Sequence, residues 1–207
     1  RYAYERDGEK VREWLERTYP EIKRRAKREK ADIYWGDETM VKACGVRGRG
    51  YAPKGETPVV NRTEKKENVS MASAITNRGK VYWKLHEGSI NGEKFKGFVE
   101  RLVRGKKRKV FLVLDNAKTH HSKMLSEWVE ENKKRAALYY LPPYSPDLNP
   151  DGHVNADVKC GVGSKTPKRT KEGLREASEE HMNMLRRTPK RIKRYFLDPA
   201  IAYAADV

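Results

Sequence analysis

Two cysteines in 207 residues, Cys44 and Cys160, form no C-x-x-C pair. A disulfide-stapled scaffold is excluded, and both thiols read as structural groups of a reduced, cytosolic protein. Long apolar runs are missing as well. Val110–Leu114 and Ala136–Leu141 are far shorter than the ~20 residues a membrane-spanning helix requires. No secretory signal opens the chain. Its first residue is Arg1 rather than Met, which reads as a piece of a longer protein. Acidic residues are the scarce charge: 29 Asp and Glu face 46 Lys and Arg, leaving +17. That excess favours a polyanionic partner, nucleic acid above all. Apolar residues make up only 37%, with a mean hydropathy of −0.96. Aromatics at 9%, spread along the chain, still argue for an ordered core over wholesale disorder.

The hydrophobic pattern predicts alternating strands and helices. Val11, Trp14, Leu15 and Ile22 mark a helix within 1–30, interrupted near Pro20, with Lys23–Lys30 as a solvated basic face. Asp32–Trp35 is a short β-prone run ending at Gly36-Asp37-Glu38. Residues 45–60 read as loop and hairpin. Val69–Thr76 and Lys80–His86 form two strands joined at Asn77-Arg78-Gly79, and Asn91–Arg104 is an amphipathic helix. Val110–Leu114 reads as a fully buried central strand and Ala136–Leu141 as another, with a helix over Ser122–Arg135 between them. Pro142–Pro146 is loop, a helix begins near Asn149, and Thr170–Phe196 is helical and basic, broken near Pro189. This order predicts an α/β fold with a mixed sheet flanked by helices.

Two acidic residues stand where such folds bind ligands. Asp37 is read at the end of the first strand and Asp115 directly after the most buried one. Either alone reads as a strand-end cap. Together, in a chain of this charge, they point to a shared divalent cation, because Mg²⁺ takes hard oxygen ligands and commonly only one or two carboxylates. A third element is the helix start Asn149-Pro150-Asp151-Gly152. Asn suits the cap and Pro the first helical position. A carboxylate in that first turn sits on the positive helix end. Gly152 supplies none, and Asp151 lies one step of roughly 100° earlier around the helix.

Other motifs carry less. Gly45–Gly55 lacks the G-x-x-x-x-G-K-[ST] pattern of a nucleotide loop, though Arg47, Arg49 and Lys54 there are candidate phosphate contacts. His120-His121 has no spaced Cys or His to complete a zinc site; it reads as an exposed pair at a helix start, with a supporting contact behind the site or a phosphate contact as the alternative for His120. Lys165, Lys168, Arg169, Arg186, Arg187, Lys190, Arg191, Lys193 and Arg194 form the main basic stretch, suited to salt-sensitive contact with a DNA backbone.

Four segments carry a resemblance. They are Ile33-Tyr34-Trp35-Gly36-Asp37-Glu38, Tyr51-Ala52-Pro53-Lys54-Gly55-Glu56-Thr57-Pro58-Val59, Val113-Leu114-Asp115-Asn116-Ala117 with His120, and Leu141-Pro142-Pro143-Tyr144-Ser145-Pro146-Asp147-Leu148-Asn149-Pro150. The chain resembles, over about residues 10–200, the DDE endonuclease domain of the Tc/mariner superfamily in its bacterial insertion-sequence branch. The resemblance implies an RNase H-like fold and the catalytic domain of a cut-and-paste DNA transposase. It implies Mg²⁺ (or Mn²⁺) in a two-metal site and DNA strand cleavage and transfer. It further implies a homodimer on DNA ends, no membrane, and a cytoplasmic, nucleoid-associated protein of a bacterium or archaeon. The last segment argues against a nuclease of RNA–DNA hybrids.

The resemblance makes Asp37 and Asp115 the first two catalytic and metal-binding carboxylates. It puts the third at the residue after Asn-Pro-x, normally Glu and here Gly152. The position three residues on, usually aromatic or apolar, is Asn155. Three explanations stand: Asp151 substitutes as third ligand, Asp157 reaches in from over a turn away, or the chain is a catalytically impaired, DNA-binding or dimerising copy. The family's N-terminal helix-turn-helix modules have no counterpart before Asp37. The expected organisation is a helical lead-in over 1–30, the catalytic core over 31–163, and basic C-terminal helices over 164–207.

Overall fold

Val110–Leu114 (β4) has no polar residue, and all five side chains are buried, as expected of a strand covered on both faces. In the computed structural model, which describes residues 4–43, 53–56, 67–163 and 170–205, β4 lies between two parallel neighbours. These are β1 (Asp32–Lys42) and β5 (Ala136–Tyr140). β1 pairs on its other side with antiparallel β2 (Asn68–Ile75), and β2 with β3 (Val81–His86), giving the order β3-β2-β1-β4-β5. β5 is thus an edge strand. Its residues after Ala136 are half-buried, which corrects the expectation of a second fully buried strand.

The β2–β3 hairpin turns where the sequence places it. Gly79 has φ +86°, and a Cβ there would lie 2.7 Å from the Pro189 carbonyl oxygen, so the turn demands glycine on both counts.

Period-two alternation sends neighbouring residues of each strand to opposite faces. On one face Ile33, Trp35, Met71, Phe111 and Val113 pack against three sets of helices. The first set is α1 (Gly8–Glu13) and α2 (Tyr19–Arg28), joined by a π-helical turn at Trp14–Thr18. The others are α5 (Asp151–Gly163) and the pair α6 (Lys171–Arg187) and α7 (Pro189–Tyr195). On the other face Tyr34, Ala72, Ala74, Leu112 and Leu114 meet α3 (Gly92–Arg104) and α4 (Lys123–Glu131). The interruption expected near Pro20 is the π turn at Trp14–Thr18, which leads directly into the first turn of α2 where Pro20 sits. The helix expected over Ser122–Arg135 stops at Glu131.

Candidate active site

β1 runs on to Lys42, so Asp37 lies mid-strand rather than at the strand's end. The parallel pairing with β4, however, stops at Trp35–Val113. Asp37 is thereby carried past the end of β4 on a strand still held by β2, opposite Ser73. Gly36 allows tight packing at this point. A Cβ there would lie 3.1 Å from Leu114 and 3.2 Å from Leu112. Asp115 leaves β4 immediately after Leu114 as expected, so the two carboxylates come from neighbouring parallel strands. Burial, and secondarily the charge of Asp115, push the Asp37 carboxyl up to about 6, against a bond from the Glu38 N–H that lowers it.

Asp115 is fixed from behind. Its Oδ1 accepts the backbone N–H of Ala117 at 3.0 Å and lies 2.7 Å from His120 Nδ1. His120 is 1% exposed, which overturns its reading as one of an exposed pair. A 3₁₀ turn at Lys118–His121 folds its ring inward against Phe95, with ring centres 4.4 Å apart. The ring's Nε2 lies 3.6 Å from Glu38 Oε1. Burial works against a charged imidazole, but the Asp115 and Glu38 carboxylates outweigh it and push His120 up to about 10. Burial likewise tends to raise Asp115, yet the bonds from His120 and Ala117 hold it below the usual carboxylate range. His121 lies outside, 2.8 Å from Asn116 Oδ1 and stacked on Tyr140.

Helix α5 docks on β1 beside this pair. The Asn149 side chain accepts the Asp151 N–H at 3.0 Å, as a helix cap does, and its amide donates to the Gly36 carbonyl at 3.0 Å. The cap thus anchors the helix one residue from Asp37. Asp151 points into the protein and is fully buried, with Oδ2 accepting the Ser73 hydroxyl at 2.6 Å. Burial and then the Asp37 charge raise its carboxyl well above the ordinary range, against the Ser73 bond. One turn on, Asn155 donates to Asp37 Oδ2 at 2.8 Å. At Gly152 an added Cβ meets nothing within 4 Å.

Asp157 is not near Asp37. It lies 2.9 Å from His181 and 2.7 Å from Arg191, and bonds the Tyr195 hydroxyl, clamping α5 to α6 and α7. Arg191 is therefore taken up by an ion pair. Lys54 is exposed in a short turn, and Arg186, Arg187, Lys190, Lys193 and Arg194 are exposed around the α6–α7 junction. Arg47, Arg49, Lys165, Lys168 and Arg169 lie outside the described residues. Asp115, Asn116 and Ala117 face Pro142–Pro146 across an open groove of about 490 Å³, with Tyr144 exposed and at φ +54°.

Residues 32–175 match the family described as DDE superfamily endonuclease. The chain belongs to that family. Its fold is the RNase H-like fold of DDE catalytic domains, a mixed sheet flanked by helices. The Mos1 mariner transposase catalytic domain is similar over all of this chain and 99% of its own, at 15% identity and a TM-score of 0.57. The Mos1 paired-end complexes with Mg and with Mn give TM-scores of 0.65 and 0.62, at 18% and 16% identity. This DDE-family chain covers 65% of the Mos1 chain in the Mg complex. No curated protein sequence matches it. Among the described residues no helix is long and apolar enough to cross a membrane.

The sequence singles out Asp37 and Asp115, which the fold brings to neighbouring strands, but gives no role to Glu38 or Ser73 and places His120 outside. Glu38 follows Asp37 and His120 follows Asp115 by five residues, so a signal existed in their proximity. Ser73 had none, because its place opposite Asp37 is set by strand register.

Proposed function

We propose that this chain is the catalytic domain of a cut-and-paste DNA transposase of the Tc/mariner type, in its bacterial insertion-sequence branch. Its chemistry is metal-dependent DNA strand cleavage and transfer, impaired at the third carboxylate. The observation that carries the reading is that Asp37 and Asp115 follow the end of the parallel β1–β4 pairing on two adjacent central strands of an RNase H-like sheet. The Asp37 carboxyl is raised mainly by burial and in smaller part by the Asp115 charge, and a bound cation would favour its ionised form. Two carboxylates suit Mg²⁺ or Mn²⁺, with waters and DNA phosphate oxygens completing the shell. Among the described residues, no three or more His, Cys, Asp and Glu side chains converge as a complete cage.

Bound metal would supply an activated oxygen nucleophile and charge at the leaving oxygen. The protein's own part is position. Asp115 keeps its inner oxygen on His120 and Ala117 N and its outer one free for the metal. Asp37 is held by the Glu38 N–H and the Asn155 amide. Asp37 sits within β1 and Asp115 directly after β4, so rigid elements hold both carboxylates and would keep reacting groups in line without a covalent intermediate.

Gly152 stands at the position read as the family's third acid, and α5 offers no carboxylate there. Asp151 is the candidate substitute, and turning it toward Asp37 requires giving up Ser73. That cost favours a second reading, a domain that keeps the fold and DNA grip while chemistry is weak or lost.

DNA is the proposed partner, consistent with the Mos1 complexes with transposon ends, and a homodimer with their paired-end arrangement. Lys54 and Arg194 are proposed backbone contacts, with Arg47, Arg49, Lys165, Lys168 and Arg169. Residues 1–30 serve as lead-in, 31–163 as core and 164–207 as a basic extension, in a nucleoid-associated protein. The test is Mn²⁺-dependent nicking of supercoiled plasmid. Nicking that disappears in Asp37→Ala and Asp115→Ala supports the site. Nicking unchanged in both rejects it. No nicking, with salt-sensitive DNA binding intact, selects the second reading.

A further inference from the structure

Glu38 and His120 occupy the sheet face opposite Asn155. Successive residues of a strand point to opposite sides, so Asp37 turns toward α5 and Glu38 toward α3. His120 fills the space between Glu38 and Asp115, with one ring nitrogen for each. Nδ1 lies 2.7 Å from Asp115 Oδ1 and Nε2 lies 3.6 Å from Glu38 Oε1. Among the described residues that Nε2 and that Oε1 are buried and have no hydrogen bond, so each is the other's nearest compensation. The ring has no freedom to leave. Phe95 covers it, and the Tyr140 hydroxyl donates to the His120 carbonyl at 2.9 Å. The pair therefore links the middle of β1, beside Asp37, to the end of β4 at Asp115.

We propose that Glu38 and His120 are a positioning pair for the metal site: His120 holds the inner oxygen of Asp115 so that the outer one faces the cation, and Glu38 locks the ring. The inference rests on the metal-binding reading of Asp37 and Asp115. Neither residue touches the metal in this arrangement. Each acts through Asp115, as partners behind metal ligands do, and losing such a partner commonly weakens metal binding 10- to 100-fold.

The test is Mn²⁺ affinity by electron paramagnetic resonance titration, with Tm measured beside it, in the chain and in its Gly152→Glu variant. His120→Ala is expected to weaken binding at least about tenfold. His120→Asn, whose amide takes the place of Nδ1, recovers most of that loss. Glu38→Gln falls between the two. Ile192→Val, in the core of α7, lowers Tm and leaves affinity alone. His120→Ala affinity within about twofold of the parent overturns the proposal whatever happens to Tm, as does a loss that Asn fails to rescue. If His120→Ala does not fold, His120→Asn and Glu38→Gln decide, and parental affinity in Glu38→Gln then rejects the pair. If neither parent binds Mn²⁺, the metal reading fails and this inference with it. Binding by the parents that is indifferent to His120 removes the positioning pair alone.

Discussion

The side-chain amide of Asn155 donates to Asp37 Oδ2 at 2.8 Å, across 118 residues of chain. Helix α5 therefore reaches the first carboxylate of the candidate site with a neutral donor. The bond steadies Asp37 and occupies part of one oxygen. It also gives the Asn155 amide nitrogen a partner at a buried position where an apolar residue is expected, while its Oδ1 stays buried without a hydrogen bond among the described residues.

Restoring the carboxylate at position 152 is expected to raise activity. Gly152→Glu adds a side chain where a Cβ meets nothing within 4 Å, so packing does not resist it. Replacing glycine in a helix with a good helix former gains up to ~1 kcal/mol. The variant should show stronger Mn²⁺-dependent plasmid nicking and a Tm no lower than the parent. Equal nicking before and after means that position 152 is not a site of the chemistry.

Asp151→Asn separates the two fates of that residue. Its carboxyl is raised well above the ordinary range, mainly by full burial, so a neutral amide of the same shape should leave stability unchanged or higher at neutral pH. If Asp151 is the third ligand, Mn²⁺ affinity falls in the same variant. Isothermal titration and urea unfolding of one preparation read both.

Metal uptake should weaken as pH falls through about 6, where Asp37 takes up its proton. The effect on stability runs the other way. The folded-state value lies above the ordinary 3.8, so Asp37 binds its proton more tightly when folded. Its contribution to stability is fully present below about pH 4 and is lost as pH rises through 6. Asp37→Asn should flatten that part of the metal-free stability–pH curve.

The Asp157 clamp should matter for stability and not for metal. Burial tends to raise this carboxyl, but the bonds from Arg191, Tyr195 and His181 prevail and hold it low. A depressed value stabilises the fold above about pH 4, and the benefit is lost as pH falls through the folded-state pKa. Asp157→Ala is expected to cost ~2 kcal/mol in urea unfolding at neutral pH, the scale of hydrogen bonds to a charged group. Its deficit should narrow in acid, with Mn²⁺ affinity intact.

Two arginines three residues apart on α7 should behave differently toward DNA. Arg194 is exposed, and Arg194→Gln should lower the slope of log affinity against log salt by ~0.9 if it contacts a phosphate. Arg191 is committed to Asp157 at 2.7 Å, so Arg191→Gln should lower Tm instead. A binding titration at several salt concentrations distinguishes them. The same salt slope in both variants removes the distinction.

Much of this was legible in the sequence because it is local. The helix ending at Arg104, the Gly79 turn, the apolar run of β4 and the placement of Asp115 just beyond it each depend on a few neighbouring residues. Local conformational preference and period are enough to specify them. Asp37 stands out in the sequence as a candidate, but its strand reads too short there. Pairing with β2, not local propensity, carries β1 on to Lys42.

Tertiary structure alone decided which atoms face which. Ser73 meets Asp151 across 78 residues because strand register puts Ser73 opposite Asp37 and the Asn149 cap docks α5 on Gly36. His120 is buried because a 3₁₀ turn folds it under Asp115 and against Phe95, whereas composition placed it outside. β5 became an edge because no further strand pairs with it among the described residues. A sequence fixes which side chains a strand or helix carries. The partner each finds depends on register and helix docking, which sum weak contacts over the whole sheet and leave no mark in any short segment.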